Sequence, residues 1–333
     1  MPSSAVLTFT DPDDYASSIR ATLLELTLTG RGRFTGQVIR IDLHRLWMQR
    51  SCQNLPQIVH SSLVPGRAVI SFPTLAERSQ VWNGVKTLPS SLVRHSDGEH
   101  YCWRSSGPYH RGAMSLSVED VASVVVTMAG CDLTPPRAPL LITPAPTAMA
   151  RLQRLHAAAG HLAEEAPEII ANPDAARGLE QALIEALISC LDESEVREDR
   201  AAQRQHGLIM HRFHRVLEEH PDGSLYIPDI CKAINVSGRT LRRCCQEHLG
   251  MGPKRYLLLR RMHLARRALR EGGHSDATVT ETATRYGFWH FGRFAGAYRS
   301  LFGEIPSTTL YRPPAWRPDI SAENPQGVDF GPH

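Results

Sequence analysis

At 333 residues the chain exceeds one ordinary domain and suits two. With 42% hydrophobic and 7% aromatic residues it can bury real cores, which excludes a disordered or fibrous protein. The net charge of +3 hides a division, because residues 206–312 hold 17 Lys/Arg against 9 Asp/Glu and the remainder 20 against 25; a basic module joined to an acidic one points to a polyanion partner for the C-terminal third alone.

The opening segment, through Asp13-Asp14, has neither a basic nor a sustained apolar region, and no later run approaches the roughly 20 apolar residues that span a bilayer. A cytoplasmic protein without a membrane partner is expected. A short helix is predicted near Pro12 to Arg20. From about residue 30 to 145 the pattern is of short strands: Gln37–Leu43, Arg67–Phe72 and Ala113–Val118 alternate, and Pro65-Gly66, Asp97-Gly98 and Gly107-Pro108 punctuate them. Residues 1–145 are therefore read as a β-sandwich or small barrel. Trp47, Phe72, Trp82, Tyr101 and Trp103, with Arg94, are the candidate effector-binding residues, and His95 and Arg104 could join Arg94 in holding an anion. Each has a plainer reading, since aromatics on strands usually just fill a core.

Seven cysteines (52, 102, 131, 190, 231, 244 and 245) show no Cys-x-x-Cys pair, which argues against structural zinc, and their odd number against a disulfide framework. His60, His95, His100 and His110 form no His-x-His pair. No metal, cofactor or catalytic residue is expected, and the chain is not read as an enzyme.

A Pro-rich stretch from Leu133 to Pro146 closes the β-rich region. Helices are predicted over Ala148–Ala163 and Ala175–Leu191. In the second, Leu179, Leu183, Ala186, Leu187 and Cys190 form a stripe at helical spacing. Such a stripe packs on its own domain or forms a subunit interface, so residues 146–205 are read as a helical linker and possible dimerisation region. Ser194–Gln205 is charged and featureless, a hinge.

The most informative segment follows, within residues 206–312. Between Ser237 and Arg270 stand ten Lys/Arg and a single acid, Glu247. A short apolar helix ends at Asn235-Val236, Ser237 can N-cap a second helix, and Arg239, Arg242 and Arg243 follow on it. Pro253 starts a long helix to about Arg270. Tyr256, Leu259, Met262, Ala265 and Leu269 give its apolar face, and Arg260, Arg261, Arg266, Arg267 and Arg270 the rest. After the Gly272–Asp276 loop, a second unit runs from Val279 through a turn at Gly287 to a helix over Trp289–Phe302. Two helix-turn-helix units on one connector can enter successive major grooves about 34 Å apart. From Pro313 the chain is read as a disordered tail.

Val236-Ser237, Leu241-x-Arg243, Gly250-Met251-x-Pro253-x-x-Tyr256-Leu257, Ala283-x-x-x-Gly287-Phe288, Phe302-Gly303 and Pro306-Ser307 together resemble the DNA-binding domain of the AraC/XylS family of transcriptional regulators. Gly287–Ala295 and Pro306–Leu310 are similar to the subgroup containing the ethanolamine-operon activator. The resemblance implies a multi-domain α+β chain: an N-terminal β-rich, cupin-like sensor domain, a helical linker, and a C-terminal all-α domain with two helix-turn-helix units. It also implies a homodimer on double-stranded operator DNA, RNA polymerase as partner, a small-molecule effector, and activation of transcription. Departures matter too. Cys245 stands where a bulky aromatic is usual, and the second recognition helix offers few donors. The expected DNA-binding residues are Ser237, Arg239, Thr240, Arg242 and Arg243 in the first unit, and His290, Phe291, Arg293 and Arg299 in the second. The first unit is expected to read bases and the second to hold the backbone. A non-specific architectural DNA protein and a DNA-repair alkyl transferase are the alternatives. The first fits poorly with an acidic N-terminal region, and the second needs a zinc-cysteine site that the cysteine spacing does not offer.

Overall fold

The computed structural model describes residues 1–75, 80–121, 133–192, 194–197, 201–220, 225–272 and 278–311. The tail expected from residue 313 and the loop after Gly272 lie outside the described residues. Two antiparallel sheets build the N-terminal part. The larger runs β1 (Ser3–Phe9), β3 (Gly36–Asp42), β4 (Trp47–Gln53), β11 (Tyr109–Ser117), β6 (Arg67–Pro73), β9 (Leu92–Arg94), β12 (Leu140–Pro144) and β13 (Ser194–Arg197). The smaller runs β2 (Thr22–Leu28), β5 (Gln57–Leu63), β10 (His100–Ser105), β7 (Val81–Trp82) and β8 (Val85–Lys86). Helix α1 (Pro12–Ser17) is capped by the Asp11 carboxylate, which accepts from the Asp13 and Asp14 amides.

Strand alternation sorts the larger sheet's side chains onto two buried faces. Val38, Val93 and Leu141 turn inward to meet Leu26, Val59, Trp82 and Trp103 of the smaller sheet. Ile39, Ile41, Met48, Ile70, Phe72 and Met114 turn outward, onto helices α2 (Pro146–Glu165), α3 (Pro167–Ala171) and α4 (Pro173–Asp192). Leu183, Ala186, Leu187 and Cys190 of the predicted stripe are buried in that layer, with Leu179 packed at its edge. The stripe therefore packs within the chain. The segment read as a hinge also differs: Ser194–Arg197 pairs as β13 with β12, Ile142 opposite Val196.

Glu180 ties this helical layer to the β3–β4 turn. Its side chain is buried, and Oε2 accepts from the Arg45 amide at 2.7 Å and the Leu46 amide at 3.1 Å. We expect Glu180→Ala to destabilise the chain by about 1–3 kcal/mol, since the Leu46 amide is buried and loses its acceptor. Glu180→Gln, which keeps an acceptor, should lose less; the urea midpoints of the two variants make the comparison.

The C-terminal part is helical: α5 (Ala201–Glu218), α6 (Ile227–Ala233), α7 (Gly238–Leu249), α8 (Pro253–Gly272), α9 (Val279–Arg285), α10 (Phe291–Phe302) and α11 (Pro306–Leu310). It docks on the outer face of the smaller sheet. Along β5 and β10, Val59, Tyr101 and Trp103 point between the sheets. Their alternates Ile58 and Cys102 join the core of the first helical unit, with Phe213, Leu241, Cys244, Cys245 and Tyr256. The His60 ring lies 3.6 Å from that of His214, centroid to centroid. At the tip of the β7–β8 hairpin, Gly84 has a left-handed φ of +81°, and a Cβ there would stand 2.6 Å from His248 Nε2. His263 of α8 accepts from the Leu28 amide at 2.9 Å.

Much of the charge on α8 is spent on the same seam, by Arg266, Arg267 and Arg270. Arg266, 3% exposed, pairs with Asp11 and, at 2.7 Å, with Asp13. Arg267 meets Asp13 at 3.0 Å, and Arg270 meets Asp11 at 2.6 Å and Asp14 at 2.9 Å. Arg260 is buried and donates to the Leu217 carbonyl. Part of the charge division read from the sequence is therefore attraction between the chain's own two halves.

Candidate nucleic-acid interface

Helices α6 and α7 meet at a tight turn that requires a left-handed residue, supplied by Asn235 at φ +53°. Ser237 caps α7 by accepting from the Thr240 amide at 3.1 Å, and its hydroxyl lies 2.9 Å from that of Thr240. Both polar side chains are thus engaged in starting the helix. Leu241, Cys244, Cys245 and Leu249 face the core, and left-handed Gly250 ends the helix. Cys245 is fully buried in a core that Ile58 and Cys102 of the sheet share with Tyr256.

Arg239, Arg242 and Arg243 lie exposed on the opposite face, as their spacing required. They are not equivalent. Arg243 donates to His206 Nε2 at 2.6 Å, and His206 Nδ1 in turn bonds Glu247 at 2.6 Å. This arrangement holds Arg243 against α5. Arg239 and Arg242 have no acceptor among the described residues. The free end of α7 is its N-terminal end; its C-terminal end rests on the sheet, where a Cβ on Gly250 would meet Arg104 at 2.6 Å. A recognition helix enters the groove by its N-terminal residues, so the exposed end is the useful one.

The second unit begins at Thr278, which forms a capping box with Glu281. Gly287, at φ +75°, makes the turn. On α10, Phe294, Tyr298, Leu301 and Phe302 are buried, and Tyr298 donates to Thr309 at 2.7 Å, locking α11 beneath it. His290, Phe291, Arg293 and Arg299 are all exposed, with Trp289 beside them at 71% exposure. Sequence reasoning passed over Trp289, although an aromatic at the mouth of a recognition helix is a signal in itself. The connector α8 is 20 residues long, about 30 Å at 1.5 Å per residue, close to one repeat of B-DNA.

Of the six residues proposed for an effector, Trp47, Tyr101 and Trp103 line one cavity between the sheets. Phe72 points to the other face of its sheet and meets the His156 ring. Trp82 is buried behind Trp103, 6.5 Å away between rings, and Arg94 donates outside the cavity to the Thr134 carbonyl. Strand parity explains the sorting, because Ser71 and Trp103 sit on inward positions and Phe72 on an outward one. Arg111, which sequence reasoning did not single out, lines the cavity as well.

Expected base reading gives a quantitative test. Arg242→Ala should weaken binding to a preferred duplex by about 1–3 kcal/mol and relax the choice of base at one position, whereas Arg299→Ala should weaken all duplexes alike. A titration against single-base variants of the duplex separates the two; uniform weakening by Arg242→Ala would contradict the assignment.

Residues 230–312 match the family described as a helix-turn-helix domain. The chain is 38% identical over 103 residues to XylDLEGF operon transcriptional activator 1 of Pseudomonas putida, covering 30% of this chain and 31% of that one. It is 40% identical over 94 residues to a probable thc operon regulatory protein of Rhodococcus erythropolis, covering 28% of each. The match thus spans about a third of the length of these relatives. Among solved structures, the AraC-like transcriptional activator CuxR is similar at 13% identity and a TM-score of 0.40, over 85% of this chain and all of that one. Residues 230–312 thus match a helix-turn-helix domain, and the curated relative similar over 103 residues is named as an activator of transcription.

Proposed function

We propose that the chain is a sequence-specific regulator of transcription, acting as an activator under control of a small molecule bound in its β-rich part. Arg239 and Arg242 read base edges, each able to hold a guanine through two parallel hydrogen bonds. Arg243, held by His206, clamps phosphate. His290, Arg293 and Arg299 position the second unit on the backbone, and Phe291 contacts a thymine methyl. The observation that carries effector control is the double role of β10. Tyr101 and Trp103 line the cavity while the intervening Cys102 packs in the core beneath the recognition helix. A ligand that shifts this strand alters the seat of α7, and such coupling is typically worth about 1–3 kcal/mol.

Transcription in vitro tests the reading. A promoter carrying the protein's preferred duplex should yield more transcript when the protein is added to RNA polymerase. Equal transcript with and without it would overturn the reading, and a fall would leave regulation but reverse its sign.

A further inference from the structure

The cavity between the sheets has a volume of about 60 Å³. Leu24, Val59, Leu63 and Val69 give it apolar walls, and the Trp47 and Trp103 rings complete them. Arg111 lines it while only 8% exposed. Its guanidinium stacks 3.5 Å over the Trp103 ring, and one Nη donates to the Ser71 hydroxyl. That hydroxyl donates to His95 Nε2 at 2.7 Å, and His95 Nδ1 donates to Glu99 at 2.9 Å. Burial keeps His95 neutral by lowering its pKa, as this relay requires. Glu99 therefore meets Arg111 only through two intervening groups. No carboxylate pairs directly with Arg111 among the described residues.

Two donors are left over at the cavity wall. Arg111 Nη1 and Trp103 Nε1 are both buried without an acceptor in hydrogen-bond geometry among the described residues, although the Tyr109 hydroxyl in the cavity, like that of Ser71, engages Arg111. A buried cation normally has its counter-ion in contact, and buried N–H groups are normally bonded. Leu24, Val59, Leu63 and Val69 give an apolar side that would hold hydrocarbon, while Thr22, Gln49, Ser51 and Gln57 line other parts of the cavity. We propose that this cavity binds a short-chain carboxylate, its oxygens on Arg111 and its alkyl tail among Leu24, Val59, Leu63 and Val69. A water fills about 10–15 Å³ on the same measure, so the space admits four to six such groups, the range from acetate to butyrate. The proposal rests on the reading of the β-rich part as a sensor and names the class of molecule sensed.

Calorimetry on the full chain without DNA tests it, with sodium propionate, propionamide and sodium nitrate as titrants. Propionate should bind saturably. Propionamide, which lacks the charge, and nitrate, which lacks the tail, should each bind at least about tenfold more weakly. Arg111→Gln should lose propionate by a similar factor. Ala113→Leu fills the same cavity while leaving the arginine in place, and it should lose propionate too; it decides the matter if Arg111→Gln does not fold. No propionate binding, equal binding of propionamide or nitrate, or undiminished binding by Ala113→Leu would overturn the proposal. Because DNA is absent, these outcomes are independent of whether the helical units read sequence. If propionate binds and leaves the affinity for the preferred duplex unchanged, the site stands and effector control falls.

Discussion

Asp11→Ala should destabilise the chain by about 3–5 kcal/mol and loosen the helical part from the β-rich part. Asp11 accepts from Arg266 and Arg270 of α8 and also caps α1, so one carboxylate serves two elements. Arg266 is nearly fully buried and lies in the middle of the 20-residue connector. Removing Asp11 leaves the buried guanidinium under-paired, with Asp13 at 2.7 Å and Glu304 at 3.9 Å as its remaining acids. Burial alone would raise the Asp11 carboxyl, but Arg266 and Arg270 beside it outweigh burial and hold its pKa below the ordinary 3.8. A depressed carboxylate stabilises the fold above its unfolded pKa, and this contribution is lost only as pH falls through the lowered value. The latch should therefore survive mild acid. Hydrogen exchange of the α8 and β2 amides measures the loosening. The double variant Asp11→Ala/Arg266→Met removes the under-paired buried charge and should recover part of the loss. Protection in Asp11→Ala equal to that of the parent chain would show that the aspartates do not hold the seam.

Mild acid should act on the seam by another route. His60, His248 and His263 are each pushed down to about 4, chiefly by burial, and His214 lies well below 6.5 for the same reason. All four lie between the two parts of the chain: His60 against His214, His248 against Gly84, and His263 on the Leu28 amide. They are neutral when docked. Below about pH 6.5 the unfolded or undocked chain takes up protons that the docked chain refuses, so stability falls as pH drops from 6.5 toward 4. Each group contributes about 1.4 kcal/mol per pH unit across that window. The urea midpoint should accordingly drop steeply between pH 7 and pH 5, and His60→Phe should make the drop shallower. A midpoint that is flat over this range would contradict the account of the seam.

The helix-turn-helix units were legible in the sequence because their signals are local. Ser237, Asn235, Gly250, Pro253 and Gly287 each fix a backbone conformation that the surrounding helices need, and Leu241, Tyr256 and Phe294 keep helical spacing. The alternating strands were legible for the same reason. What stayed hidden depends on pairing across long separations. Asp11 and Arg266 are 255 residues apart, and nothing in either neighbourhood names the other. The stripe at Leu183–Cys190 declares an amphipathic helix but not what covers it, and the cover is the larger sheet. The cavity shows the limit most clearly. Aromatic content nominated five residues and charge a sixth, Arg94, while strand parity, which depends on register, decides which of them face inward. Parity places Arg111 with Trp103 and turns Phe72 away.

The account centres on sequence reading by the two helical units. Selection of duplexes from a random pool by the purified chain, at about 150 mM salt so that phosphate contacts alone do not dominate, tests it most directly. The account predicts a defined motif, with its stronger base preferences in the half bound by α7 and lost there in the Arg239→Ala/Arg242→Ala variant. Recovery of no motif, with binding that fades evenly over all sequences as salt rises, would contradict it.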